Sequence, residues 1–201
     1  RVVRDAGHGG VKAIVEEKDA TDAIRQIKEV NTGFMAARAS DWKRWLSQLS
    51  PQNAQGEYYL TDCVGLAVTE GWVVNTVVCE DAQEVEGVNN RVQLARLERV
   101  AQLRQVESLM LAGVTVADPA RLDIRGHVSA GEDVFIDINV VLEGDVTLGR
   151  NVVIEPNCVI KNSSIGAGSH IKANSVIEGA EIANDCDVGP FARIRAGTVL
   201  E

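Results

Sequence analysis

From Ile124 to Leu200 a branched aliphatic residue returns every six positions, and few folds tolerate that period. The series runs Ile124, Ala130, Ile136, Leu142, Leu148, Ile154 and Ile160, then Ile165, Ile171 and Ile177, then Ile182, Val188, Ile194 and Leu200. Only Ala130 departs in type. A second series follows four residues behind the first: Val128, Val134, Val140, Val146, Val152, Cys158, Ser164, Ser169, Ser175, Glu181, Cys186, Ala192 and Thr198. Nearly all of these are small or β-branched. Turn-forming residues separate the two series, as in Glu143-Gly144-Asp145, Gly149-Arg150-Asn151 and Gly189-Pro190.

A period of six matches neither the helix nor the strand repeat, so the stretch reads as a hexapeptide β-solenoid in which each unit forms one side of a triangular coil. The large aliphatic residue points inward, the small one sits near the corner and the polar ones face water. Successive coils then bond through their backbones at about 4.8 Å, and only a stack of them buries a core. Two units, Ile160 to Ser164 and Ile177 to Glu181, are one residue short, and their first positions are 17 residues apart. They are predicted to stack on the same side of neighbouring coils. An irregular Val/Ile-rich β-sandwich would not hold one period over so long a stretch.

With 201 residues, 45% of them hydrophobic, the chain has room for two modest cores. Its formal charge of −9 is spread over both halves and argues against nucleic acid or an anionic membrane surface as a partner. No apolar run approaches the roughly 20 residues a membrane-spanning helix needs. The opening Arg1-Val2-Val3, without a Met, suggests an interior piece of a longer protein. Cys63, Cys79, Cys158 and Cys186 show no C-x-x-C spacing and read as reduced thiols of a cytoplasmic protein.

Ahead of the repeats, Arg1–Arg4 and Val11–Glu17 read as strands around a Gly-rich connection, Asp5 to Gly10. That run is a hairpin turn rather than a phosphate cradle, because Val-Lys-Ala-Ile-Val does not begin a helix. Phe34 to Ala37 and Val73 to Val78 read as further strands, with helices at Trp42–Leu49, capped by Asp41, and from the Gly56–Asp62 stretch to Gly71. The alternation argues for an α/β layer. Residues 90–113 then form a connecting helix, with Leu94, Leu97, Val100, Leu103 or Ala101, Val106 and Leu109 or Met110 on one face and Gly113 as its stop.

Asn31-Thr32-Gly33, Gly56-Glu57-Tyr58-Tyr59-Leu60-Thr61-Asp62 and Glu86-Gly87-Val88-Asn89-Asn90-Arg91, followed by a helix and hexapeptide repeats, together closely resemble the bacterial bifunctional N-acetylglucosamine-1-phosphate uridylyltransferase/glucosamine-1-phosphate acetyltransferases. The resemblance implies an α/β plus all-β chain in three parts. Residues 1–89 would be the C-terminal half of a Rossmann-like nucleotidyltransferase domain, 90–113 a connecting helix, and 114–201 part of a left-handed parallel β-helix with acetyltransferase function. Glu16, Asn31 and Asn89 fall where the family binds UDP-N-acetylglucosamine, and Asn89 also where it contacts magnesium. An amide and a carboxylate suit sugar hydroxyls, and an amide oxygen is a hard ligand. Arg195, in Phe191-Ala192-Arg193-Ile194-Arg195, falls on an arginine that binds the sugar phosphate in acetyl transfer, although Ala196 stands where the family commonly has Pro.

The same resemblance implies UTP and glucosamine-1-phosphate as substrates, acetyl-CoA as co-substrate, a homotrimer formed through the solenoid, and catalytic residues that lie outside this stretch. His127 and His170 do not stand in for them, because both read as surface residues. Two other readings compete: a different sugar-1-phosphate nucleotidyltransferase with a solenoid, and a purely structural or ice-binding solenoid. The Glu-Gly-Val-Asn-Asn-Arg motif opposes the first. The mixed Asp, Lys, Asn and Glu of the outward positions oppose the second.

Overall fold

The computed structural model describes residues 1–201, which divide into two compact units, Arg1–Gly87 and Val88–Glu201. The first unit opens with an antiparallel hairpin of β1 (Val2–Arg4) and β2 (Val11–Ile14). Asp5 builds the turn, its carboxylate accepting from the amides of Gly7 and His8, as expected of a hairpin connection and not of an anion cradle. Three helices follow: α1 (Asp22–Arg25), α2 (Ala39–Leu46) and α3 (Asp62–Thr69). Val2, Val11 and Val64 form one small core with Ile14, Met35 and Val74, and Trp45, Cys63 and Ala67 form another with Trp42, Leu49 and Leu66. Trp45 lies edge-on to both Trp42 and Trp72 and donates its indole N–H to Glu70 at 3.1 Å.

Three expectations for this unit need correction. Helix α2 starts at Ala39 with Arg38 at its N-cap, so Asp41 lies inside the first turn, where it pairs with Arg44 at 2.9 Å. Phe34–Ala37 and Val73–Val78 are not strands, and the only sheet here is the two-stranded hairpin. A strand exists only where a neighbour takes up its backbone groups. Without one, Val73 is 83% and Val77 100% exposed. The unit therefore does not display a parallel α/β layer.

The second unit begins with α4 (Arg91–Leu111), capped by the Asn90 carboxamide, which accepts from the Gln93 amide at 2.9 Å. It ends in a Schellman turn. Gly113, at φ +99°, donates to Met110 and Val114 donates to Leu109, so the last carbonyls are satisfied where only glycine adopts the backbone without strain. The packed face agrees with the expected one at Val106 and Leu109, with Leu97 and Val100 half-buried, and departs from it elsewhere. Val106 and Gln102 are buried, with Arg99 and Leu109 half-buried beside them, whereas Leu94, Leu103 and Met110 are exposed.

Beyond α4 the chain is a parallel β-solenoid. Its first strands are β3 (Thr115–Val116), β4 (Leu122–Ala130), β5 (Phe135–Ile136) and β6 (Val140–Leu148); nine short strands continue to Val199–Leu200. One side is a five-stranded parallel sheet that aligns Val116, Ile136, Ile154, Ile171 and Val188. A second column aligns Ile124, Leu142, Ile160, Ile177 and Ile194, and a third aligns Ala130, Leu148, Ile165, Ile182 and Leu200. From Ile136 to Ile177 the aliphatic residues of all three columns are at most 2% exposed, so the six-residue series lines one interior. The two short units stack on each other as predicted, since Ile160 pairs with Ile177.

Within the short units the small position is not where the series places it. Ser163 and Ala180 are buried, and Ser164 and Glu181 face outward. Inward residues on a strand alternate with outward ones, so the small residue must sit two before each aliphatic one, and the missing residue has been removed from the preceding turn. The buried serines enter the backbone ladder themselves. Ser163 accepts from the Ala180 amide at 3.1 Å, and Ser169 accepts from the Cys186 amide at 3.0 Å while donating to the Ala183 carbonyl at 2.8 Å.

The corners are left-handed backbone. Asp133, Asn151, Gly168 and Asp185 mark one corner; Asn139, Asn157, Asn174 and Phe191 mark the next, with φ between +55° and +71° throughout. Asn and Asp tolerate that region better than other non-glycine residues. Phe191, at φ +55°, occupies an Asn position of the stack.

Two outcomes follow from this packing. Ile171→Ala, at an interior position with no exposure, is expected to lower unfolding stability by about 3 kcal/mol, and the outward Glu178→Ala by no more than about 0.5 kcal/mol, by denaturant titration. Acid weakens the same unit. Arg99 and then Arg125 hold Asp123 below the usual carboxylate range, the Ala173 amide and then His170 do so for Glu155, and Lys172 does so for Asp187. Folded pKa values below the unfolded ones stabilise above the unfolded range of about 4 and lose that contribution as pH falls through the folded values. The urea midpoint should therefore hold between about pH 7 and 5 and drop below about pH 4, with Asp123→Asn showing a smaller drop.

Candidate functional site

In the first unit, Glu16 follows β2 and accepts from the buried Thr61 hydroxyl at 2.9 Å, just ahead of α3. That bond ties the end of the hairpin to the start of a helix 45 residues later and fixes where the carboxylate points. Around it lie Asp19, whose carboxylate accepts from the Ala54 amide at 2.9 Å, and Asp62. Burial, then the charges of Asp19 and Glu16, raise Asp62 above the usual carboxylate range. The Tyr59 hydroxyl is buried and has no hydrogen-bond partner. Burial is the main reason it is pushed up to about 12, with Asp19 adding to the shift without reaching bonding geometry.

This constellation of carboxylates, a neutral phenol and a hydroxyl accepts and donates hydrogen bonds, and it carries negative charge. It suits a neutral polyol far better than an anion. The Gly56–Asp62 stretch carried part of the family resemblance, yet reading it as a motif gave no role to Tyr59, Thr61 or Asp62. Their signal emerges only once α3 sets them beside Glu16. Asn31 lies in the loop before α2, half-buried, with its carboxamide making no bond to the rest of the chain.

Asn89 and Arg195 belong to the second unit. Next to α4, the capping role falls to Asn90. The Asn89 amide donates to the Gln93 side chain at 2.8 Å, and the Asn89 carboxamide is exposed without an intrachain partner. Arg195 is exposed and its guanidinium makes no ion pair. One position beyond the interior column of Ile124, charges alternate: Arg125, Glu143, Lys161 and Glu178 stand on successive coils, with a Lys161–Glu143 pair at 3.1 Å. Arg195 is the next residue of that outward column.

His127 is exposed, and His170 packs its ring between Glu155 at 2.8 Å and Asp187 at 3.7 Å, which occupies it in a surface ion cluster. All four cysteines are free thiols, with Cys63 and Cys158 buried. Burial raises both above the usual thiol range, so they remain protonated and unreactive at neutral pH. No helix is long and apolar enough to cross a membrane.

The solenoid residues 124–201 match the family described as the GMPPB C-terminal domain. Over all 201 residues the chain is 55% identical to the Bifunctional protein GlmU of Pseudomonas putida strain F1. Identity is 58% over 200 residues to that of Cellvibrio japonicus and 55% over 201 residues to that of Pseudomonas entomophila. In each case the chain spans 44% of the relative's length. Along its whole length this chain is a relative of the bifunctional GlmU proteins, the resemblance its motifs indicated.

Proposed function

We propose that the chain is a piece of a two-reaction enzyme that acetylates glucosamine-1-phosphate from acetyl-CoA and then joins the product to UTP, making UDP-N-acetylglucosamine for cell-envelope precursors in the cytoplasm. The observation that carries this reading is the 55–58% identity to GlmU proteins over the full chain. Residues 1–89 would be part of the Rossmann-like uridylyltransferase domain, 90–113 the connecting helix and 114–201 part of the left-handed acetyltransferase β-helix, which assembles as a homotrimer.

In this reading the negatively charged, hydroxyl-rich constellation of the first unit binds the amino sugar. Glu16, held by Thr61, accepts from a sugar hydroxyl, and Asn31 offers a carboxamide to the sugar or its acetamido group. The exposed Asn89 carboxamide reaches the nucleotide end. Toward magnesium it offers one neutral oxygen, whereas that ion takes one or two carboxylates with phosphate oxygens in an octahedral shell. The donors of this chain alone therefore do not complete a magnesium site. Arg195 would take the sugar phosphate in acetyl transfer, its guanidinium forking onto two oxygens. The chain by itself is expected to be inert in both reactions.

A chimera tests this reading. Joined to the remaining segments of the Pseudomonas putida GlmU, the chain is expected to restore both reactions. Glu16→Ala or Asn89→Ala should then lower uridylyl transfer at least about tenfold, matching loss of one or more polar contacts of 1–3 kcal/mol, and leave acetyl transfer intact. Arg195→Ala should do the reverse. A folded chimera that makes neither product would sink the proposal.

A further inference from the structure

On the second unit, the turn Pro119–Arg121, the start of β4 and the start of β6 enclose a shallow open groove of about 310 Å³ lined by Ala120, Arg121, Asp123, Asn139, Val140 and Val141. Nothing in the sugar chemistry argued above uses it. Arg121 lies along one wall with its Nε donating to Asn139 Oδ1 at 3.1 Å, and Asn139 donates in turn to Asn157 Oδ1 at 2.9 Å. This amide ladder along a corner of the solenoid fixes the plane of the guanidinium. The Nη hydrogens are left without an acceptor, and no carboxylate pairs with the group.

Asp123 would ordinarily repel an anion from this groove, but both its oxygens are occupied. Arg99 of α4 donates to Oδ1 at 2.7 Å and Arg125 donates to Oδ2 at 2.9 Å. The carboxyl is accordingly held below its usual range, by Arg99 first and then by Arg125. The guanidinium groups of Arg99, Arg121 and Arg125 stand here against two carboxylates, Asp123 and the Asp118 that caps the turn, in a chain whose formal charge is −9. The backbone amides of the groove are committed: Asn139 to the Arg121 carbonyl, Val141 to the Cys158 carbonyl and Ala120 to the Asp118 carboxylate. What remains to greet a ligand is one pre-oriented fork of N–H donors beside the exposed Ala120 and the half-buried Val141.

We propose that this groove binds a tetrahedral oxyanion of the phosphate class, with Arg121 as its bidentate ligand. A planar fork favours two oxygens of one anion. Ala120 and Val141 offer a small apolar surface to the organic part of a phosphate monoester.

The test is a titration with inorganic phosphate at constant ionic strength, followed by NMR of the Arg121 side chain and the Asn139 and Val141 amides, with phenyl phosphate as a second arm. Saturable shifts confined to this groove are expected. Arg121→Ala should weaken binding at least about tenfold, as loss of a charge-assisted pair implies. Arg121→Lys should retain part of it, and Asn139→Ala, which frees the guanidinium, should fall between. Tighter binding of phenyl phosphate would identify a monoester as the ligand, and equal binding would identify phosphate itself. Affinity unchanged in a folded Arg121→Ala, or no saturation up to about 50 mM phosphate, overturns the proposal.

Discussion

The second unit depends on one coupling: an inward aliphatic residue and the backbone bonds on either side of it repeat on each coil, so every rung is buried only if its neighbours are in register. Ile136, Ile154 and Ile171 have no solvent exposure because each is roofed by the next. Their flanking amides reach across the gap, Phe135 to the Val152 carbonyl and Val153 to the Ser169 carbonyl at 2.9 and 3.0 Å. Neither contribution stands alone. A single coil would leave its aliphatic residues wet and half its backbone groups unpaired.

That coupling also governs which sequence changes the solenoid accepts. A residue can be dropped from a turn, as in the units that follow Ile160 and Ile177, because the next coil drops one at the same place and the columns stay aligned. It cannot be dropped between a small position and its aliphatic partner without turning one of them outward. Counting forward from the preceding isoleucine and counting back from the following one agree in six-residue units and disagree in five-residue units. For that reason the period revealed the interior columns but misassigned Ser164 and Glu181 in place of Ser163 and Ala180.

The rest of the chain was legible to different degrees for physical reasons. The hairpin, the Asn90 cap and the Gly113 stop are local, decided by side chains a few residues from the backbone they satisfy. The buried face of α4 is not local. Gln102 is buried there, with one amide hydrogen held by Glu98 at 3.2 Å and its carbonyl oxygen unpartnered, while leucines a turn away are exposed, a choice that hydrophobic spacing could not predict. The segment Val73–Val78 reads as a strand from composition, but composition cannot supply the neighbour a strand requires. Around Glu16, the carboxylate itself stood out by family resemblance, whereas Thr61 and Tyr59 gained meaning only from the 2.9 Å bond and the buried hydroxyl beside it.

Native-state hydrogen exchange resolved by residue reads the central coupling most directly. The amides of Val141, Val159 and Val176, which bridge successive coils to Cys158, Ser175 and Ala192, should exchange together as one slowly opening group, far more slowly than the exposed Val77 and Val78. Independent and rapid exchange of those three amides would contradict a stack in which each coil is held by its neighbours.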